Sequence, residues 1–237
     1  MIQRIDKIIS SQMNVSRNDA RSMIKSGSVA VDGKSVTDSS AKVDAENSEI
    51  TVNGKPLFFK EHIYIMMNKP QGVVSATTDN KIKTVIDIVP EALKRKNLFP
   101  AGRLDRDTVG FMLITDDGDF AHRILSPLKH VPKTYIANLR DRLSEEARQT
   151  LENGAVLSDG TQCMDALVRV IDEEGKVAEI TIREGKYHQI KRMFASVGNE
   201  VTFLKRISIG NLHLDESLEE GECREITENE LSLIEKR

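Results

Sequence analysis

The 237-residue chain has no tryptophan and only three tyrosines, Tyr64, Tyr135 and Tyr187. Stacking on a flat ligand therefore falls to one of these or to a phenylalanine. Cysteine is nearly missing as well. Cys163 and Cys223 lie far apart and form no cluster with metal-ligand spacing. That argues against a disulfide framework and against structural zinc, and leaves a reduced, cytosolic protein as the expectation. No apolar run approaches the roughly 20 residues of a membrane-spanning helix. The opening Met1–Ile2–Gln3–Arg4–Ile5–Asp6 has no signal-peptide pattern. Internal repeats and low-complexity segments are also missing.

An excess of positive charge is absent too, since the formal net charge is -3. Its distribution matters more than its sum. Residues 1–60 hold nine Lys/Arg against seven Asp/Glu, a net of +2. Residues 211–237 hold three against nine, a net of -6, and the rest is near balance with 22 against 21. The acidity sits at the C-terminal end, so the mean charge does not exclude a nucleic-acid partner. At 39% hydrophobic and 30% charged residues, the chain can bury the cores of one or two globular domains.

The N-terminal quarter is written in short elements. Ile2, Ile5, Ile8 and Ile9 recur at helical spacing, which predicts a helix over 2–9. A second helix starts at Ser16, an N-cap with Asp19 three residues on, and Gly27 stops it. Arg17, Arg21 and Lys25 recur every four residues and form a basic stripe, which a solvated helix face would also show. Val29–Ala30–Val31, the Asp32–Gly33 turn and Lys34 read as a hairpin, and Glu49–Val52 with Asn53–Gly54 as a further strand and turn. A boundary is expected near Pro56–Lys60, which divides the chain into 1–58 and 61–237.

Beyond it, Ile63–Met67 reads as a buried strand broken by Asn68–Lys69–Pro70–Gln71–Gly72. Phe120–Leu125 suits a short helix ended by Pro127. Lys133–Ala137 and the alternating Val177–Ile182 read as strands, Ser144–Arg148 as a helix start, and Tyr187–Phe194 as a helix that Gly198 stops. Strands outnumber helices, and hairpins join them as often as helices do. The expected class is α+β: a small helix/hairpin domain, then a mixed, mostly antiparallel sheet with flanking helices.

The stretch with chemical promise is Ala101–Gly102–Arg103–Leu104–Asp105, followed by Arg106–Asp107–Thr108–Val109–Gly110 and the apolar Phe111–Ile114. A Gly-flanked carboxylate beside a cation at the mouth of a strand suits a nucleophile on a rigid scaffold. The same spacing also fits a polar turn. Asp105 with Asp107 resembles a glycosidase pair, but alternate strand residues face opposite ways, so the two converge only if they lie in a loop. Asp116–Asp117–Gly118–Asp119 lacks calcium-loop spacing and reads as a turn. His122 and His130 have no motif partner.

Two resemblances change the weighting. The order helix, basic helix, hairpin and strand, with Arg4–Lys7, Ser16–Arg17 and Ile24–Lys34 in place, resembles the S4-type RNA-binding domain. It implies that Arg4, Arg17, Arg21, Lys25 and Lys34 meet an RNA backbone, supplying affinity rather than base choice. Behind it, Asn68–Gly72, Gly102–Asp105, Lys133–Tyr135 and Glu184–Met193 follow in the order and spacing of the pseudouridine synthases that modify ribosomal RNA. Among these the chain looks like the small-subunit group. The resemblance implies an isomerase that cuts a uracil from its ribose at N1, turns it and rejoins it through C5, with no cofactor and no metal.

It also implies site residues. Asp105 matches the catalytic aspartate, able to attack sugar or base or to assist loss of the base. Lys191 matches the basic residue that keeps it ionised. Tyr135 matches the tyrosine that packs on the extruded base. Arg103 is a candidate RNA contact, with a salt bridge to Asp107 as the competing reading. His188 and Gln189 read as support for the helix start. The implied partner is 16S rRNA or a small-subunit assembly intermediate, met by a cytoplasmic monomer without membrane attachment. The competing functions are a sister enzyme for 23S rRNA, a non-catalytic RNA-binding or assembly factor, and a nucleoside hydrolase.

Overall fold

The computed structural model describes residues 1–126 and 131–235. Two compact units emerge: Met1–Ile63 with Glu91–Leu98, and Tyr64–Pro90 with Phe99–Arg237.

The first unit runs β1 (Ile2–Arg4), α1 (Ile5–Gln12), α2 (Arg17–Lys25), β2 (Val29–Val31), β3 (Lys34–Ser35), β4 (Lys42–Asp44), β5 (Ile50–Val52) and β6 (Lys55–Leu57). The first helix starts three residues later than its isoleucine spacing suggests. Ile2 is in β1, paired with Asp44, and is 72% exposed, whereas Ile5, Ile8 and Ile9 are fully buried. Sheet pairing takes the first residues before the helical face can use them. Helix α2 begins as read: Ser16 Oγ accepts the Asp19 amide, and the Asp19 carboxylate accepts the Ser16 amide. The isoleucines of α1 meet Ala20 and Ile24 of α2 and Val29, Ile50 and Val52 of the sheet in one small core. That sheet has the order β3-β2-β5-β6. Pro56, read as part of the boundary, is in β6, an edge strand where a missing amide is tolerated. The segment Glu91–Leu98 belongs to this unit, where Lys96 Nζ donates to the carbonyl of Val15 (2.7 Å).

The second unit contains β7 (Tyr64–Lys69), β8 (Phe99–Pro100), β9 (Val109–Thr115), α3 (Gly118–Leu125), β10 (Lys133–Leu139), α4 (Glu145–Glu152), β11 (Leu167–Val170), β12 (Val177–Ile182), α5 (Gln189–Ser196), β13 (Val201–Ile209), β14 (Leu212–His213), β15 (Cys223–Glu225) and α6 (Glu228–Glu235). Its sheet runs β11-β12-β10-β13-β9-β7-β15, with β14 on β13 and β8 on β9. Only β13 and β9 pair in parallel among the described strands, over Lys205↔Val109 and Arg206↔Gly110. The class is α+β, with a mixed, mostly antiparallel sheet. Strand β7 runs on through Asn68 and Lys69, which the sequence reading took as its break; the ladder with β9 holds both, and Pro70 ends it.

The two parallel rungs are close. Gly110 has φ +96, and a Cβ there would lie 2.3 Å from the Arg206 carbonyl oxygen, so only glycine fits. One residue further the ladder stops, and buried Arg206 closes it by donating Nε to the Phe111 carbonyl (2.7 Å). On the other side of β9, Phe111 and Leu113 pack with Phe120, Ala121 and Ile124 of α3. The acidic run before α3 is a helix start: Asp117 accepts the Phe120 amide (2.9 Å) and the Tyr64 hydroxyl (2.6 Å). Pro127, expected to end α3, and His130 lie outside the described residues. Among the described residues, no helix is long and apolar enough to cross a membrane.

Candidate active site

Asp105 lies in the loop between β8 and β9. The loop is shaped by a turn in which the Thr108 amide donates to the Asp105 carbonyl (3.1 Å). The segment after β7 clamps it from several points. Ser75 Oγ donates to the Leu104 carbonyl (2.8 Å) and accepts the Leu104 amide (3.0 Å). The Gly72 amide donates to the Arg106 carbonyl (2.9 Å). Lys69, wholly buried at the end of β7, spreads its ammonium over the carbonyls of Pro70 (3.1 Å), Arg106 (3.4 Å) and Thr108 (2.8 Å). The Lys69–Pro70–Gln71–Gly72 motif is thus the underside of the loop that carries Asp105.

Burial pushes the Lys69 ammonium down from 10.5 to about 8, against the opposing pull of Asp107 and Asp105. Above pH 8 folded Lys69 has lost its proton while the unfolded chain keeps it up to about 10.5, so folding is favoured as pH rises. Between pH 8 and pH 10, wild-type stability should therefore improve by about 2 kcal/mol relative to Lys69→Met. Urea unfolding of both proteins at the two pH values measures this difference. An equal pH response in both would show that the buried charge carries no such penalty.

Lys191 comes from the first turn of α5. Its Nζ is 3.2 Å from Asp105 Oδ2 and 2.6 Å from Asp107 Oδ1. Asp105 and Lys191 each keep a quarter of their side-chain surface exposed. Asp107 is therefore part of the cluster. Both aspartates are in the loop, where strand alternation does not separate them, and Asp107 pairs with Lys191 rather than with Arg103. The hydrogen bond from Lys191 holds the Asp107 carboxyl below its ordinary range, although burial works against it. Burial disfavours the Lys191 charge, but Asp107 and Asp105 outweigh it and raise the ammonium above its usual value.

Helix α5 starts on a built anchor. Gln189 is buried; its Oε1 accepts the Lys186 amide (2.9 Å) and its Nε2 donates to Glu184 (2.6 Å), which also accepts the Met164 amide (2.9 Å). His188 is the N-cap residue, in a left-handed conformation at φ +47 and with no side-chain cap bond. Its Nε2 instead points to Asp105 Oδ1 at 3.5 Å. Asp105 thus faces an ammonium and an imidazole carried by the start of α5. Such a carboxylate is suited to attack an electrophilic carbon or to stabilise a developing sugar cation.

Tyr135 is in β10, 7% exposed, and pairs across the ladder with Arg206. Arg103 is exposed and has no ion pair among the described residues. In the first unit, Arg17, Lys25 and Lys34 are exposed, whereas Arg4 (2.8 Å) and Arg21 (3.1 Å) both bond the buried carboxylate of Asp6. Sequence reasoning missed Asp6, Lys69 and the Asp105-facing side of His188. The signals were present: an acid within an isoleucine run, a lysine at the end of an apolar strand, and a histidine one residue before a helix. Among the described residues no group of three or more His, Cys, Asp or Glu is arranged to hold a metal.

The sequence profile of the RNA pseudouridylate synthase family matches residues 63–196, and that of the S4 domain matches residues 3–50. The uncharacterized RNA pseudouridine synthase YtzG of Bacillus subtilis is 47% identical over 98% of each chain. The ribosomal small subunit pseudouridine synthase A of Escherichia coli is 40% identical over 98% of this chain and 99% of its own. A crystal structure of a pseudouridylate synthase, 36% identical, superposes with a TM-score of 0.68 and covers 98% of this chain and 99% of that one.

Proposed function

The chain belongs to the RNA pseudouridylate synthase family, with an S4 domain at its N-terminal end, and from that premise we propose that it converts one uridine of 16S rRNA to pseudouridine with Asp105 as the catalytic carboxylate. The target we assign is that of the uridine-516 enzyme, in 16S rRNA or a small-subunit assembly intermediate. The protein acts as a cytoplasmic monomer. The observation that carries the reading is the Asp105–Lys191 pair at the start of α5, with His188 on the other carboxylate oxygen.

The reaction breaks the N1–C1′ bond and forms a C5–C1′ bond. C5 loses a proton and N1 gains one, so no electrons are exchanged with a partner and no group is transferred. An ionised carboxylate at the sugar meets the charge that develops as the base departs. Lys191 pairs with that carboxylate at 3.2 Å. Tyr135 offers its ring to the base while it turns and its hydroxyl to the proton that C5 releases. The 40% identity to the E. coli small-subunit enzyme over nearly the whole chain favours 16S over 23S rRNA.

Mapping pseudouridine in rRNA from cells lacking this protein tests the reading. One 16S uridine should stay unmodified and regain its modification when the gene is restored. Loss at a 23S site would redirect the substrate, and an unchanged map would reject the function.

The exposed cations of the first unit should carry affinity. Replacing Arg17, Lys25 and Lys34 together by alanine should weaken RNA binding and lower the slope of log K against log salt by about two to three. Arg4 and Arg21 are left in place because they neutralise Asp6. Filter binding over a salt series measures the slope, and an unaltered slope would remove this face from the interface.

A further inference from the structure

One feature of the site is unused by the chemistry above. Tyr187, just before α5, is 77% exposed, although it is one of only three tyrosines in the chain. Its ring is stacked on His188, with centroids 3.8 Å apart and planes 18° from parallel. The Nε2 of that imidazole lies 3.5 Å from Asp105 Oδ1. The pair thus forms a two-ring slab standing beside the carboxylate. One face of the tyrosine is covered by His188 and the bulk of the residue is open to water.

Packing does not explain the slab. Tyr187 contributes little buried surface, and its hydroxyl has no partner among the described residues. The backbone is held for it nonetheless: His188 has the left-handed φ of +47, uncommon outside glycine, and Arg192 donates to the Tyr187 carbonyl (3.4 Å).

Resting on the reading that the chain isomerises a uridine in RNA, we propose that the outer face of Tyr187 is a stacking platform for the base of a nucleotide adjacent to the target uridine. Turning the uridine out of its stack leaves its neighbours with an uncovered face. An exposed aromatic ring replaces that face for any of the four bases, since stacking needs only a flat π-surface. The ring comes already oriented by His188, so little side-chain freedom is lost on binding. Arg103 and Arg106 flank Asp105 in sequence, are both exposed, and have no carboxylate partner among the described residues. They suit the phosphates on either side of an extruded nucleotide. The platform is distinct from Tyr135, whose partner is the reacting base itself.

The test uses the full chain and a 16S rRNA fragment containing the modified site, with 2-aminopurine or an abasic residue at the nucleotide before or after the target. In wild type and Tyr187→Phe, 2-aminopurine fluorescence at one of the two positions should be quenched on binding. In Tyr187→Leu the quench should be lost, and KM for isomerisation should rise about tenfold, with the change in KM rather than kcat. An abasic residue at that position should raise the wild-type KM to a similar degree and add nothing in Tyr187→Leu. Unchanged KM and fluorescence in Tyr187→Leu would overturn the platform, as would a loss that adds fully to that of the abasic RNA. Wild-type protein that quenches the probe yet leaves every uridine intact would support the platform while rejecting the isomerase reading. The two failures are therefore separable.

Discussion

Asp105→Asn is expected to abolish isomerisation, by roughly a thousandfold or more, while RNA affinity and thermal stability stay close to wild type. The change removes one charge and almost no volume. The amide oxygen still accepts a hydrogen bond from Lys191, which also keeps Asp107 at 2.6 Å. The loop is held by its backbone, through Ser75, Gly72 and Lys69, and none of those bonds uses the Asp105 carboxylate. A neutral amide, however, neither attacks carbon nor offsets positive charge on the ribose. Single-turnover assays of pseudouridine formation alongside equilibrium binding separate the two quantities. Full activity in the variant would remove Asp105 from the chemistry. A large loss of affinity would make it a binding residue instead.

The second large effect is expected at Lys191. Lys191→Met keeps much of the side-chain length but leaves two carboxylates facing each other without the shared cation. Lys191 holds the Asp107 carboxyl low, so without it that carboxyl should keep its proton to a higher pH. Activity near neutral pH should fall by about a hundredfold or more, and the acid limb of the pH–rate profile should move upward. Lys191→Arg should restore most of the activity, because a guanidinium can also span two carboxylates. The profile separates electrostatic support from a purely structural role: lost packing lowers the rate without moving the limb. A profile of unchanged shape in Lys191→Met would sink the electrostatic account.

Much of this arrangement was legible in the sequence, where the signal was local or motif-borne. The Ser16 capping box, the Asp32–Gly33 hairpin, the buried run before Thr115 and the stop at Gly198 follow from nearest-neighbour chemistry, and each is in the structure. The errors came where tertiary pairing overrode a local pattern. Ile2 continues the isoleucine spacing of α1 but pairs with Asp44 in β1. Asn68 and Lys69 are polar, yet β9 holds them in the ladder and encloses the lysine. Asp107 reaches Lys191 because residues 105–108 form a turn, where strand alternation does not apply. His188 faces Asp105 only because a left-handed backbone turns it there, and no periodicity encodes that. The basic stripe of α2 was visible, but Arg21 is engaged with buried Asp6, a pairing that charge counting does not reveal.

One ammonium serves two carboxylates, so Asp105, Asp107 and Lys191 together carry a net charge of -1. Such a centre repels a polyphosphate chain at short range. In the proposed reaction the carboxylate meets a positive ribose, so the cluster keeps that sign and is not itself the attractor. Attraction has to come from cations not committed to carboxylates, such as Arg17, Lys25 and Lys34 in the first unit and Arg103 and Arg106 beside the loop. In the proposed function, capture and catalysis thus fall to charges of opposite sign on different side chains. Removing those cations should therefore weaken RNA capture before it alters the chemistry.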